Sequence, residues 1–361
     1  MGEGRRRANT DRAGDRTGAT VIHVAEAWGG GIVDACEWIA SQSPDSHHTL
    51  IYVERDGVSR KPDPELFERA IQTDGRLAMA RTIRSELKRS DNAVIHAHSS
   101  WAGLLSRIVN GKAPVVYSPH CFAFERVDIG TVTRTVFQLI ERAGAQRTAV
   151  LIANGGREAQ TADSLGYRRV VNLPMVGRRE PDLVAAEPGA ELTTIGRIAS
   201  QKDPGYFVEL RDRVQQLMGR EISARWIGGV DLGFSDSILR DAGVEITGWL
   251  TPPEVLEWVA DSGVYVHTAA WEAGVPLSIF DAASLEIPVL VRAIPSLEWS
   301  TFPSYPDIAA HAEAVAECLR STEARKSQIK QTVLAAQEIA DLSGDVDLCE
   351  LYRDLTDNQR D

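Results

Sequence analysis

Val264-Tyr265-Val266-His267-Thr268-Ala269-Ala270-Trp271-Glu272-Ala273-Gly274-Val275-Pro276-Leu277-Ser278-Ile279-Phe280-Asp281-Ala282-Ala283 runs from an apolar segment, through a loop holding Gly274 and Pro276, into a helical pattern. The run predicts a buried strand, and a helix is expected to start near Pro276 to Ser278. Proline costs little at a helix start, where its missing N–H would have been unpaired anyway. The unpaired N–H groups of such a start, together with the helix dipole, favour an anion. Two carboxylates, Glu272 and Asp281, flank the turn. Each can accept hydrogen bonds from ribose or sugar hydroxyls, or act only as a capping or surface acid.

The same strand-to-helix rhythm extends outward in both directions. Apolar runs recur at Val21–Ala25, His48–Val53, Ala93–His98, Pro114–Ser118 and Val150–Ala153, then at Leu192–Ile195, Ala224–Gly228, Val244–Ile246, Val264–His267 and Val289–Val291. Helical segments such as Glu65–Arg89 and Thr131–Gln146 separate them, with another reaching about Ser41. This repetition specifies an α/β chain built on parallel, doubly wound sheets. A stretch over Val176–Glu191, with Gly177, Arg178, Arg179, Pro181, Pro188 and Gly189 and no clear periodicity, divides two such regions, the linker falling at 181–190. The expected plan is a disordered tail over 1–18, a Rossmann-like domain over 19–180, the linker, a second Rossmann-like domain over 191–340, and a helical segment over 341–361 that returns to the first domain. Two such domains create a cleft, and their ligands bind at the carboxyl ends of the strands.

Bulk properties limit the function. The 361 residues are 43% hydrophobic and 25% charged, as in an ordinary globular protein of about two domains. The four cysteines, Cys36, Cys121, Cys318 and Cys349, are widely spaced and form no CxxC pair, which points to a reducing compartment and a cytoplasmic location. The charged start, MGEGRRRANTDRAGDRTGAT, lacks the apolar stretch of a secretory signal, and no run of about 18 apolar residues occurs. The net charge of −12 is uneven. Residues 1–180 carry 25 Lys+Arg against 21 Asp+Glu, and the remainder 14 against 30. An acidic second half argues against nucleic acid as a partner. The more basic first half suits an anionic surface, such as the inner face of a membrane, or is ordinary surface composition.

Two further segments carry candidate chemistry. In Ile195-Gly196-Arg197-Ile198-Ala199-Ser200-Gln201-Lys202-Asp203 a strand ends at a glycine, followed by two cations five residues apart. A forked guanidinium at Arg197 and a point charge at Lys202 can share one diphosphate. Gly29-Gly30-Gly31 follows the first strand, where backbone N–H groups could approach a phosphate or simply make a tight turn. It lacks G-x-G-x-x-G spacing, which weakens a dinucleotide reading despite Glu54 at the next strand's end. His96, His98, His120 and Cys121 offer metal-ligand chemistry without the spacing of a zinc set, so no metal and no cofactor is expected. His120 follows a strand and is expected at the cleft, and His23 reads as packing or a sheet-edge polar group. Trp249, Trp271 and Trp299 can stack on a sugar or base, or pack in the core.

Taken together, Gly196-Arg197, Lys202-Asp203, Gly248-Trp249, Gly274-Val275-Pro276-Leu277, Asp281-Ala282 and Pro288-Val289 resemble, in order and spacing, the signature of glycosyltransferase family 4. Ala97-His98-Ser99-Ser100, Ser118-Pro119-His120-Cys121-Phe122 and the GGG loop are similar to its capsule and exopolysaccharide subgroup. The resemblance spans Val21 to about Ala340 and implies the GT-B fold. It implies transfer of a sugar from a nucleotide-sugar, UDP-sugar favoured, to a glycan or lipid-linked acceptor, with retention and without a metal. It places Arg197 and Lys202 on the donor diphosphate, Gly248 and Trp249 near the base, and Gly274–Ser278 on the donor through their amides. Asp281 falls to the ribose, His120 near the transferred sugar, and His98, Ser99 and Ser100 on the acceptor side.

One departure concerns the acids. The family separates two glutamates by seven residues, whereas eight lie between Glu272 and Asp281, and Ala273 precedes Gly274. Either the loop is one residue longer and Glu272 still faces the sugar, or the first acid is lost. A non-catalytic nucleotide-sugar-binding subunit is the alternative this leaves, and a GT-B nucleotide-sugar epimerase is a second.

Overall fold

The computed structural model describes residues 18–55, 60–90, 92–177 and 189–357. All of the expected tail except Gly18, and all of the expected linker except Gly189 and Ala190, lie outside those residues. The chain forms two compact units. One comprises Met1–Glu54, Arg60–Val116 and Asp347–Asp361. The other comprises Arg55–Ser59 and Tyr117–Val346.

The first sheet contains β1 (Thr20–Trp28), β2 (His47–Glu54), β3 (Arg69–Gln72), β4 (Ala93–His98), β5 (Val115–Ser118), β6 (Val150–Ala153) and β7 (Val170–Asn172), in the order β3-β2-β1-β4-β5-β6-β7. Helices α1 (Gly31–Ser41), α2 (Arg76–Leu87), α3 (Ser100–Val109), α4 (Thr131–Gly144) and α5 (Gly156–Leu165) link them. The strand order reverses at β1, which pairs in parallel with both β2 and β4. The segment Glu65–Arg89, expected to be helical throughout, is helical only from Arg76. Its first part forms β3, an edge strand whose exposed Arg69 and Ala70 give no alternating signature.

The second sheet contains β8 (Ala190–Ile195), β9 (Ala224–Ile227), β10 (Glu245–Ile246), β11 (Ser262–His267), β12 (Val289–Arg292) and β13 (Ser304–Tyr305), in the order β10-β9-β8-β11-β12-β13, with every pair parallel. Its helices are α6 (Pro204–Met218), α7 (Ser237–Asp241), α8 (Pro252–Ala260), α9 (Leu277–Ser284), α10 (Ile308–Arg320) and α11 (Thr322–Gly344). The last helix, α12 (Leu348–Asp357), belongs to the first unit, where the Tyr352 hydroxyl meets His96 Nδ1 at 2.7 Å.

Strand periodicity explains why both faces of β11 are buried. Val264 and Val266 enter a core with Leu192, Phe207, Trp226 and Leu290. Tyr265, one residue out of phase, enters a separate core with Ile279, Val289, Val291 and Ile339. Alternate side chains point to opposite faces of a strand. A strand covered on both faces therefore reads as a continuous apolar run.

Candidate donor site

The carboxyl ends of β8 and β11 meet in the second unit. After β8 the backbone passes Gly196, and the Lys202 chain folds over this glycine so closely that a Cβ there would collide with its methylenes. Trp226 Nε1 donates to the Gly196 carbonyl at 2.7 Å and fixes the turn from the core side. Arg197 and Lys202, five apart in sequence, are thus held near one another by the loop.

Each cation already has a carboxylate. Arg197 donates to Asp231 Oδ2 at 2.9 Å and to Gln201 Oε1 at 2.8 Å. Lys202 Nζ pairs with Glu272 Oε1, and Gln201 Nε2 donates to Glu272 Oε2 at 3.2 Å. His267 Nε2 lies 3.3 Å from the same Glu272 oxygen, outside hydrogen-bond geometry. Burial raises the Glu272 carboxyl, but Lys202 and His267 outweigh it and hold the group at about 2, so it is ionised at neutral pH. Asp231 is shared: Arg55 Nη2 donates to both its oxygens, at 2.8 and 2.7 Å. Burial, then the charges of Arg55 and Arg126, lower the Arg197 pKa, although a guanidinium stays protonated. Cations thus crowd one another here, an arrangement that a polyanion relieves.

A second line of polar groups supports this cluster from behind. His267 Nδ1 contacts the Tyr265 hydroxyl at 3.1 Å, and that hydroxyl contacts Ser278 Oγ at 3.0 Å. The chain runs from His267, beside Glu272, to the second residue of α9, whose first turn follows Pro276. Gly274 is required by close approach, because a Cβ there would overlap the Asn154 carbonyl oxygen. The Glu272–Gly274 loop is therefore pressed onto the end of β6, and Ala273 is 9% exposed within it. Glu272, not Ala273, meets Lys202. Asp281, on α9 and half-buried, lies beside Gly177. Gly248 and Trp249 follow β10, with Gly248 bridged to Gly228 and the 45%-exposed Trp249 indole over Gly229. Trp299 packs on Gly155 and Gly156, and Trp271 offers its carbonyl to Gln201.

His120 and Cys121 both have left-handed backbone, φ 49° and 86°, in the turn after β5. Glu158 braces this turn. Its buried carboxyl accepts from the Cys121 N–H at 2.8 Å and the Asn154 N–H at 2.7 Å. Burial pushes its pKa up to about 8, despite those two bonds. Burial lowers His120 to about 4, so its imidazole is neutral at neutral pH. Burial and the charges of Glu125, Glu158 and Glu272 raise the Cys121 thiol, which connects this turn electrostatically to the Lys202–Glu272 pair.

The first unit holds the remaining candidates. Gly30 and Gly31 are exposed at the start of α1. Ser99 caps α3, with φ 104°, and its hydroxyl bonds Glu26. His23, His96 and His98 place ring nitrogens within 4.8 Å of one another. Those of His23 are committed elsewhere. His48 Nε2 lies 2.9 Å from the Ser43 carbonyl and must carry the proton. His48 Nδ1 therefore accepts from His23 Nε2 at 2.9 Å, and His23 Nδ1 accepts from His98 Nε2 at 3.0 Å. His98, His23, His48 and the Ser43 carbonyl thus form one directed chain that occupies both ring nitrogens of His23. His23 is thus a bonded residue of a central strand, not a sheet-edge group. His120 and Cys121, grouped with His96 and His98 by residue type, belong to the other unit.

Sequence reading missed Asp231, Arg55, Arg126, Gln201, His267 and Glu158. Arg55 directly follows β2, and His267 ends β11, positions where such sheets carry function. Glu158 and Asp231 gave no signal, because Cys121 and Arg197, which they hold, lie 37 and 34 residues away.

Residues 12–175 match the family described as Glycosyl transferase 4-like domain. The chain is 24% identical over 298 residues to an uncharacterized 41.2 kDa protein in the cps region of Klebsiella pneumoniae, covering 77% of this chain and 82% of the relative. It is 25% identical over 238 residues to the Escherichia coli UDP-Gal:alpha-D-GlcNAc-diphosphoundecaprenol alpha-1,3-galactosyltransferase, covering 58% and 59%. In structure it is similar to sucrose-phosphate synthase from Thermosynechococcus elongatus, with a TM-score of 0.72, 14% identity, and 93% and 99% of the two chains covered. Anabaena Alr3699/HepE, solved with UDP, gives a TM-score of 0.67 at 13% identity over 94% and 100%. The two parallel Rossmann-like sheets are those of a GT-B fold, and over residues 12–175 the chain is similar to the glycosyltransferase 4-like family.

Proposed function

We propose that this chain moves a sugar from a UDP-sugar to a hydroxyl of a glycan or lipid-linked glycan, with retention at the anomeric carbon and without a metal ion. The observation that carries the reading is the clustering of Arg197 and Lys202 with Arg55 and Arg126 at the carboxyl end of the second sheet. In this reading the diphosphate displaces carboxylates from these cations. Negative charge growing on the leaving phosphate is then stabilised by groups already in place, the role a metal fills elsewhere. The start of α9, Leu277 and Ser278, contributes amides and its dipole, with the Val275 N–H just before it. UDP is favoured because relatives of this fold were solved with UDP and with UDP-glucose. The galactosyltransferase relative's lipid-linked acceptor motivates the acceptor class.

Roles follow for the other residues. Glu272, relieved of Lys202 by the diphosphate, accepts from a sugar hydroxyl, Asp281 from the ribose, and Trp249 covers the base. His120, neutral, donates or accepts beside the transferred sugar. The GGG loop is assigned to donor phosphate, and Ser99 and Ser100 to the acceptor, with the fully buried His98 bonded to His23 behind them. Among the described residues no helix is long and apolar enough to cross a membrane. We assign a cytoplasmic enzyme in peripheral contact with the inner face of the membrane.

Thermal shift with UDP, GDP and ADP tests the reading. UDP is expected to stabilise equally with and without EDTA. Stabilisation that requires Mg²⁺ or Mn²⁺ overturns the metal-free mechanism, and no stabilisation by any nucleotide overturns the donor site.

A further inference from the structure

Helix α4 is amphipathic in the reverse of the usual sense. Its buried face presents an acid: Glu141 accepts from the Tyr117 and Tyr167 hydroxyls, each at 2.7 Å. Its opposite face is apolar and open to solvent, with Val132 80%, Val136 50% and Leu139 61% exposed. The spacing of these three, i, i+4 and i+7, forms one stripe. Val127, just before the helix, is 59% exposed and extends the apolar surface. Single exposed aliphatic residues are unremarkable, whereas a contiguous stripe marks an interaction surface.

The charges select the partner. Arg142 on α4 and Arg147 just beyond it are exposed, whereas Arg134 lies on the Glu141 side and donates to the Phe124 carbonyl at 2.8 Å; from Ile129 to Arg147 the one acid is the inward Glu141, and Asp128 before it is paired with Arg126. A stripe of aliphatic residues flanked by Arg142 and Arg147, without an exposed acid on the helix itself, matches a lipid surface bearing negative headgroups. Its place in the fold agrees. Ser200 Oγ, in the loop between Arg197 and Lys202, donates to Asp128 Oδ2 at 3.2 Å, so the segment leading into α4 is bonded to the donor loop.

We infer that the exposed face of α4 binds an anionic phospholipid bilayer and holds the donor loop beside a membrane-embedded acceptor. The second clause rests on the proposed lipid-linked acceptor, and the first does not. Bilayer entry of the three aliphatic side chains, together with headgroup contact by the arginines, accounts for attachment.

The test is co-sedimentation of the full chain with vesicles of phosphatidylcholine alone or with phosphatidylglycerol added. Binding is expected with the anionic vesicles and is expected to weaken at high salt. The triple variant V132S/V136S/L139S is expected to lose about tenfold or more in partitioning. R142Q and R147Q are each expected to lose about fivefold on anionic vesicles. These side chains are exposed, and UDP-induced stabilisation, read in parallel, is expected to be unchanged in every variant. Failure of wild type to bind anionic vesicles, or equal binding by the triple variant, overturns the inference. So does a wild-type dimer in sedimentation velocity that the triple variant abolishes, because the stripe then serves a second copy. Loss of the UDP response in wild type overturns the donor-site reading alone.

Discussion

Replacing Glu272 tests the centre of the site. Its carboxylate and the Lys202 ammonium are 10% and 14% exposed, with His267 at 1% beside them. Glu272→Ala leaves an ammonium in a nearly dry pocket against an imidazole. Removing one partner of a buried pair costs about 3–5 kcal/mol. The residual exposure of Lys202 lets it tilt to water, which argues for about 3 kcal/mol, the lower end of that range. For a unit of this size that is a fall in Tm of about 6–12 °C. Glu272→Gln is expected to fall less, because the amide oxygen can still accept from Lys202. The diphosphate of UDP restores the missing negative charge. Saturating UDP is therefore expected to raise the Tm of Glu272→Ala by more than it raises that of wild type. The pH dependence has a definite sign. A carboxyl lowered from 4.5 to about 2 stabilises the fold above about pH 4.5 and loses that contribution as pH falls toward 2. Differential scanning fluorimetry of wild type and both variants, with and without UDP, reads all of this. An unchanged Tm in Glu272→Ala shows that the pair does not hold the loop. Equal UDP increments in variant and wild type show that the diphosphate does not reach Lys202.

Three further outcomes are expected. Arg197→Ala is expected to weaken UDP about ten- to hundredfold by calorimetry, the loss of a charge-assisted contact of about 1.5–3 kcal/mol, and wild-type affinity shows that the anion binds elsewhere. Asp281→Ala is expected to raise the UDP dissociation constant about tenfold, and an unchanged value removes Asp281 from the ribose. Glu158→Gln can accept only one of the two N–H groups of Cys121 and Asn154, a loss of about 1–3 kcal/mol. Because the Glu158 pKa is raised to about 8, its wild-type contribution is full below about pH 4.5 and declines as pH rises through 8. Denaturant titration at pH 6 and pH 9 is expected to show a smaller gap between variant and wild type at the higher pH, and an equal gap refutes the protonated form.

The sequence by itself determined the class of fold and the loops in which its candidate site residues lie. Strands such as β4 and β11 announce themselves, because burial on both faces demands unbroken apolar runs. The loops after β8 and β11 announce themselves, because glycine, proline and paired cations are needed where a strand turns into a helix. Edge strands β3, β7 and β13 gave no signal, since short strands at a sheet's edge need little apolar surface. Partnership was also beyond the sequence. Nothing local tells that Lys202 meets Glu272 across 70 residues, or that Arg197 shares Asp231 with Arg55. The extra residue before Gly274 left the first acid open. Tertiary packing places Glu272 against Lys202, because the Asn154 carbonyl excludes any side chain at Gly274 and so fixes the loop that carries it. Periodicity could show that α4 is amphipathic but not which face is outward. That was decided by the Tyr117 and Tyr167 hydroxyls, which hold Glu141 inside and leave the valines and leucine to solvent.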